Sequence, residues 1–243
     1  MIDLPYKIEN ERLFKDYLKN MEIKFSNYTP IIPTDSEYFA VITEPRISED
    51  MLPVLKTFMY RLNETNSNIK WGLQIFHGID NEDFIKKITK GWNVHLEKVE
   101  INDFSKIEFN TYYKSLNFWE RVKGKKVLCF QIDSILLRSG IDEFLKYDYI
   151  GAPWVKSKEN YFVGNGGLSL RTKERMIDLS KNYFAPTPEW EDIFFVKHLE
   201  NKNVADVETA MRFSVEDVYS PNPLGIHNPI KIPTDLLKNL LVI

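Results

Sequence analysis

Val127-Leu128-Cys129-Phe130-Gln131-Ile132-Asp133-Ser134 is the stretch that decides the fold. It opens on an unbroken apolar run, the mark of a strand buried on both faces. It then brings an acid to that strand's carboxyl end, where open α/β sheets bind their ligands. Asp133 therefore stands where a metal ion or a diphosphate would be held. The residues alone leave a second reading open, in which Asp133 merely turns the chain after a core strand.

Upstream, Tyr38-Phe39-Ala40-Val41-Ile42-Thr43 gives another continuous strand, ended by Pro45. Residues 52–62 carry leucine and methionine at helical spacing, and 71–76 form a second strand. A helix with Phe84, Ile85 and Ile88 and a strand over 94–99 follow. Tyr112, Leu116 and Trp119 then give residues 109–122 one apolar helical face, leading into the central strand over 127–132. Strand and helix alternate four times, which predicts an α/β fold with a mostly parallel central sheet and helices on both faces. After Asp133 the rhythm changes. Ile141–Tyr147 reads as a short helix and 163–171 as a strand or hairpin arm. Thr172 is a plausible N-cap, and Thr187-Pro188 a stronger helix start. Residues 1–37 form a lead of mixed polarity, helical in part from Glu11 to Met21. The rest, 38–243, reads as one domain, with a nucleotide half to about residue 135 and an acceptor half after it. The last eight residues, 236–243, read as a helix or strand docked on the core.

With 43% apolar and 28% charged residues over 243 positions, the composition is that of an ordinary globular protein. A formal net charge of −3 supplies no basic field, which argues against nucleic-acid and anionic-membrane partners. Cys129 is the only cysteine, so no intrachain disulfide forms and the thiol reads as a small core residue. The first twelve residues lack a signal-peptide core. No run approaches the roughly 18 apolar residues of a membrane span.

Two downstream segments sharpen the chemistry. Val163-Gly164-Asn165-Gly166-Gly167-Leu168-Ser169-Leu170-Arg171 fails as a dinucleotide fingerprint, because Ser169 replaces the third glycine and the segment lies late in the chain. Gly166-Gly167 is either a tight turn or a place where backbone passes close to a ligand. In Trp190-Glu191-Asp192, acids in the first turn of a helix complement its dipole. The same dipole favours an ionised carboxylate that can act as general base. His227 sits among turn residues, either exposed or a ligand to metal or phosphate. Gln131 is placed to orient a water or contact a ribose. The signatures of zinc proteases, serine hydrolases and P-loop enzymes are missing. Together the three segments suggest transfer of a sugar from a nucleotide-sugar donor.

The ordered series Phe130–Ser134, Ile141–Leu145, Tyr147–Trp154, Gly164–Arg171 and Glu191–Phe195 resembles a little-characterised glycosyltransferase-like family. That family occurs in large DNA viruses, fungi and bacteria and was long catalogued as a domain of unknown function. Asn110–Trp119 also matches its pattern. It is similar in turn to the GT-A glycosyltransferases, which implies a single GT-A-like domain. On that resemblance Asp133 is the last acid of an Asp-x-Asp metal motif, with His227 closing on a Mn2+ or Mg2+ ion or on the diphosphate. Glu191 and Asp192 are the acidic pair of the acceptor helix, Asp192 being the base of an inverting displacement. Glu44 and Arg46 lie near the nucleotide base, and Asn110 near the ribose or phosphates. Gly166 and Gly167 line the sugar pocket, and Trp154 offers a stacking surface. Gln131, Ser134 and Asn165 join the substrate-binding set within their motifs. Gln131 stands in place of the motif's first acid, which weakens the expected metal site.

The expected donor is a nucleoside-diphosphate sugar, uridine-linked, and the acceptor a glycan, protein or small molecule. The expected compartment is the cytoplasm, the host's for a viral member. A sugar nucleotidyltransferase is the next reading. It fits less well, because Thr43-Glu44-Pro45-Arg46 stands where a glycine-rich basic loop is needed. A non-catalytic carbohydrate-binding protein on a decayed transferase fold is the third, with Gln131 its best support.

Overall fold

The computed structural model describes residues 7–63, 69–158, 161–200 and 203–241. The first six residues of the lead and Val242-Ile243 of the expected C-terminal element lie outside the described residues.

Four strands meet the sequence expectation closely: β1 (Tyr38–Thr43), β2 (Gly72–His77), β3 (Val94–Lys98) and β4 (Lys126–Phe130). The helices between them are α2 (Met51–Asn63), α3 (Glu82–Ile88), α4 (Lys106–Lys114) and α5 (Leu116–Arg121), preceded by α1 (Lys7–Lys24). Then come β5 (Ser134–Leu136), a 3-10 turn at Ile141–Phe144, β6 (Tyr149–Gly151), β7 (Pro153–Lys158), β8 (Tyr161–Val163) and β9 (Leu168–Thr172). The chain ends with α6 (Lys173–Tyr183), α7 (Glu191–Leu199), α8 (Val207–Phe213), β10 (Ser214–Val215), β11 (Gly225–His227) and α9 (Thr234–Leu240).

The main sheet has the order β3-β2-β1-β4-β9-β6. Strands β3, β2, β1 and β4 pair in parallel, and β9 runs antiparallel to both β4 and β6. The fold is thus mixed α/β with a mostly parallel sheet and helices on both faces. Side-chain alternation explains the continuous apolar runs. Ala40, Ile42, Leu128 and Phe130 face one core with α2, where Phe58 stacks on Phe130 at 4.0 Å. Phe39, Val41, Val127 and Cys129 face a second core with Phe118, Trp119 and Phe195.

Four local expectations are corrected. The central strand stops at Phe130 rather than Ile132. The single helix over 109–122 is two, because Ser115 adopts extended backbone, ends α4 and caps α5 through its hydroxyl. Ile141–Tyr147 yields only the short turn at Ile141–Phe144. The helix expected at Thr187-Pro188 begins at Glu191, with Trp190 at the N-cap. Thr172 does cap α6 by position, but its hydroxyl accepts from Lys126 Nζ at 2.6 Å instead of a helix amide.

The lead is more than a tail. Phe14, Tyr17, Leu18 and Met21 of α1 enter the core, and buried Asn10 Nδ2 donates to Pro229 O at 3.2 Å and Ile232 O at 2.5 Å. No helix among the described residues is long and apolar enough to cross a membrane.

Candidate active site

A cavity of about 560 Å³ opens beyond the carboxyl ends of β1 and β4, the position the parallel order favours. Its wall is assembled from many segments of the chain, beginning with the one after β1. There Glu44 is buried, and Arg46 grips its carboxylate bidentately, Nε to Oε1 at 2.8 Å and Nη2 to Oε2 at 2.9 Å. The pair keeps Arg46 above its ordinary range, the Glu44 hydrogen bond being the largest cause.

The turn after β4 supplies Gln131, Ile132 and Asp133. A three-stranded sheet, β10-β11-β5, then sets His227 beside them: β11 runs antiparallel to β5, His227 pairs in register with Ser134, and Asn228 N donates to Asp133 O at 3.1 Å. His227 is therefore buried on a strand, not in an exposed loop. Its Nε2 lies 3.1 Å from Gln131 Oε1 and 3.5 Å from Asp133 Oδ1, and its Nδ1 lies 3.5 Å from Glu216 Oε2. Lys231 Nζ donates to Glu216 Oε1 at 2.5 Å. Burial opposes charge on His227, yet Asp133 and Glu216 outweigh it and raise its pKa. Burial likewise pushes Glu216 up, but His227 and Lys231 prevail and lower it to about 2.

Glu216 and Lys231 were not candidates from sequence. Both line the cavity, and only their closeness to His227 in the folded chain draws attention to them.

The double glycine forms the floor. A Cβ on Gly166 would lie 2.0 Å from Glu191 Oε1, and one on Gly167 would lie 2.1 Å from the His227 ring. The glycines are thus explained by close approach of the protein's own side chains. Asn165 Oδ1 accepts from Gly167 N at 3.1 Å and fixes the turn. Ser134 does not line the cavity: it is fully buried and its hydroxyl donates to Gly167 O at 2.9 Å, bracing the floor from behind.

A further wall is the start of α7. Glu191 and Asp192 both line the cavity and are both buried. Arg171 donates to both Glu191 oxygens, at 2.6 and 2.9 Å, and is itself fully buried among the rings of Trp119, Tyr149 and Phe195. Glu191 is thereby an anchor of the helix, while Asp192 Oδ1 accepts from Ile193 N at 2.8 Å. Asn110 lines the cavity, and its Oδ1 accepts from Glu191 N at 2.7 Å. Trp154 lines it too and is buried, while Trp190 stands at the same wall with its ring half exposed.

Among the described residues no three His, Cys, Asp or Glu side chains gather as a metal cluster. Two donors do converge, Asp133 Oδ1 and His227 Nε2, with Glu216 Oε2 3.5 Å from Nδ1 on the other side of the ring. That pair fits a hard cation whose other positions come from a ligand's oxygens.

Among solved structures, the inositol-1-phosphate CTP transferase of T. maritima matches with a TM-score of 0.51 at 13% identity, over 85% of this chain and 97% of that one. The glycosyltransferase GlyE of Streptococcus pneumoniae TIGR4 matches with 0.48 at 13% identity, over 85% of this chain and 60% of that one. The galactosyltransferase LgtC matches with 0.48 at 10% identity, over 83% and 95%. At these identities the likeness speaks to fold alone, and the chain spans about 60% of the length of GlyE. No curated protein sequence matches the chain significantly. Residues 93–227 match a family profile described as "Protein of unknown function (DUF5672)"; this stretch is more than half of the 243 residues and carries the lining of the cavity except Thr43–Arg46, Asn228 and Lys231, and the chain belongs to that family.

Proposed function

We propose that the chain is a glycosyltransferase that moves a sugar from a nucleoside-diphosphate sugar, UDP-linked, to an acceptor hydroxyl with inversion. The observation that carries this reading is the division of one cavity into two chemistries. Asp133, His227 and Lys231 gather on one wall, and Asp192 stands at the start of a helix on another. A leaving diphosphate needs positive charge, and an attacking hydroxyl needs a base. Both are available in one cavity of about 560 Å³.

On this reading Lys231 meets the diphosphate, and Asp192 takes the acceptor's proton as the new glycosidic bond forms. Arg171 neutralises Glu191, so Asp192 works without a competing free carboxylate next to it. Asp133 and His227 would hold Mn2+ or Mg2+. Such a cation, when bound, supplies charge neutralisation to the departing phosphates. Glu44 and Arg46 lie where a ribose or base would end, and Trp154 where a sugar ring would pack.

The test is a screen of nucleotide sugars with manganese for hydrolysis and transfer. Asp192→Asn should lower turnover by roughly 10²–10⁴-fold with UDP binding retained. Full activity in that variant would sink the base assignment. Donor binding with no hydrolysis or transfer would point instead to a carbohydrate-binding protein.

The fold shared with a CTP transferase favours one second reading, nucleotidyl transfer. Against it, Arg46 after β1 is committed to Glu44 and no glycine-rich basic loop follows the strand. Release of pyrophosphate from UTP and a sugar phosphate would decide for this second reading.

A further inference from the structure

The segment leading into α7 is fastened to one side of α4. Asn110 and Lys114 are four residues apart on that helix and so point the same way. Lys114 is fully buried, and its ammonium donates to Thr187 O at 2.8 Å, Glu189 O at 2.9 Å and Thr187 Oγ1 at 3.4 Å. Asn110 Oδ1 accepts from Glu191 N at 2.7 Å, while its Nδ2 donates back to Lys106 O of its own helix. A buried ammonium is costly unless its protons are used. Here they are spent on a single short loop. The anchors fall on Thr187, Glu189 and Glu191, every second residue up to Asp192, and each includes a main-chain group. The tie therefore sets the path of the backbone.

It also overrides local signals. Thr187-Pro188 has the makings of a helix start, but the Thr187 carbonyl is drawn to Lys114, and α7 waits until Glu191. Trp190 at the N-cap offers no capping oxygen, and Asn110 supplies one from another helix. Meanwhile Lys106, Phe109 and Asn110 of α4 line the cavity, so one helix both walls the donor side and carries the acceptor segment.

We infer that Asn110 and Lys114 are positioning residues that set Asp192 at the cavity by tying residues 187–191 to α4, Asn110 acting as a remote cap for α7 and not as a contact to the nucleotide. This rests on the reading of Asp192 as the base of a sugar transferase. Small displacements of a reacting group cost about a hundredfold in rate, and a loosened tie acts on turnover before it acts on donor binding.

The experiment compares Lys114→Met, Asn110→Leu and Asn110→Asp with the wild type. Manganese-dependent UDP binding is measured by calorimetry, and hydrolysis of UDP-glucose, UDP-galactose and UDP-N-acetylglucosamine is followed for kcat and KM. Lys114→Met and Asn110→Leu should lose about tenfold to a hundredfold in kcat with donor KM and UDP affinity within about twofold. Asn110→Asp keeps an oxygen for the Glu191 amide and should recover most of the loss. A contact to the diphosphate would give the opposite order, since a carboxylate there repels phosphate, and that order overturns the proposal. Unchanged kcat in the first two variants overturns it as well. If the wild type neither binds UDP nor hydrolyses any donor, the transferase reading has failed. The tie is then judged by hydrogen exchange, where unaltered protection at residues 187–192 in Asn110→Leu overturns it and faster exchange confined to that segment upholds it.

Discussion

Arg171 has no exposed surface, and its guanidinium lies 4.7 Å from the Tyr149 ring centre and 5.5 Å from that of Phe195. A charge in such surroundings persists because Glu191 matches it with two hydrogen bonds, while Ser169 Oγ accepts from Nε at 2.9 Å. Removing one partner strands the other, at a cost of about 3–5 kcal/mol, whereas replacing both with apolar residues is often tolerated. Arg171→Met should therefore lose about that much in urea unfolding, and Arg171→Met with Glu191→Met should regain most of it. Equal destabilisation in the single and double variants would show that packing, not charge matching, sets the value of the pair. Gly167 raises a different issue, since its restriction is space. Gly167→Ala sets a methyl carbon 2.1 Å from the His227 ring, and overpacking of this kind costs about 1–3 kcal/mol. Because the displaced group is His227, manganese-dependent UDP binding should fall by more than the shift in stability explains. Calorimetry beside a thermal melt checks this.

At the scale of elements, the break at Ser115 shows why the pattern of residues 109–122 misleads. Tyr112 and Trp119 pack on the same core on either side of the break, so the helical spacing survives it, while Leu116 at the start of α5 is only half-buried. The Ser115 hydroxyl accepts from Phe118 N at 3.2 Å and donates to Tyr112 O at 2.6 Å, so it joins two helices instead of lying within one. Ser115→Ala should cost about 1 kcal/mol in urea unfolding, the usual worth of a lost N-cap; a neutral effect would mean the junction is held by packing alone. The strands β1, β2 and β4 were legible because burial on both faces leaves a largely apolar run, and β3, at the sheet edge, because its residues alternate with period two. The strands β5, β10 and β11, of two or three residues each, are too short to show any alternation. That hid the pairing of His227 with Ser134, and with it the burial of His227 and the whole Glu216–Lys231 arrangement. The start of α7 was hidden for another reason: its cap and its anchors lie on α4, 73 to 81 residues earlier. Asp133, the double glycine and Glu191-Asp192 were found from sequence as a set, but which acid is neutralised depends on Arg171, a residue of β9.

Across the whole molecule, α1 meets residues 229–232 and α9 beside the cavity. Asn10 of α1 holds the carbonyls of Pro229 and Ile232, on either side of Lys231, and α1 also packs on α9. Lys231 in turn fixes Glu216, and Glu216 faces His227. This chain of contacts makes global stability sensitive to protonation at the site. Glu216 titrates near 4.5 when free of its partners and at about 2 in the fold. A lowered carboxylate pKa contributes stability that is complete above 4.5 and is lost as pH falls toward 2. The shift corresponds to about 3 kcal/mol. His227 has the opposite sign. Its pKa is raised above 6.5 in the fold, so its contribution is complete below 6.5 and is lost as pH rises through the raised value. In chelator, urea unfolding should therefore show a stability plateau between an acid limb set by Glu216 and an alkaline limb set by His227. Glu216→Gln should flatten the limb below pH 4.5, and it should bring the alkaline limb to lower pH because His227 loses a carboxylate partner. Wild-type and variant curves that stay parallel from pH 3 to 8 would show that the buried pair carries none of the pH dependence.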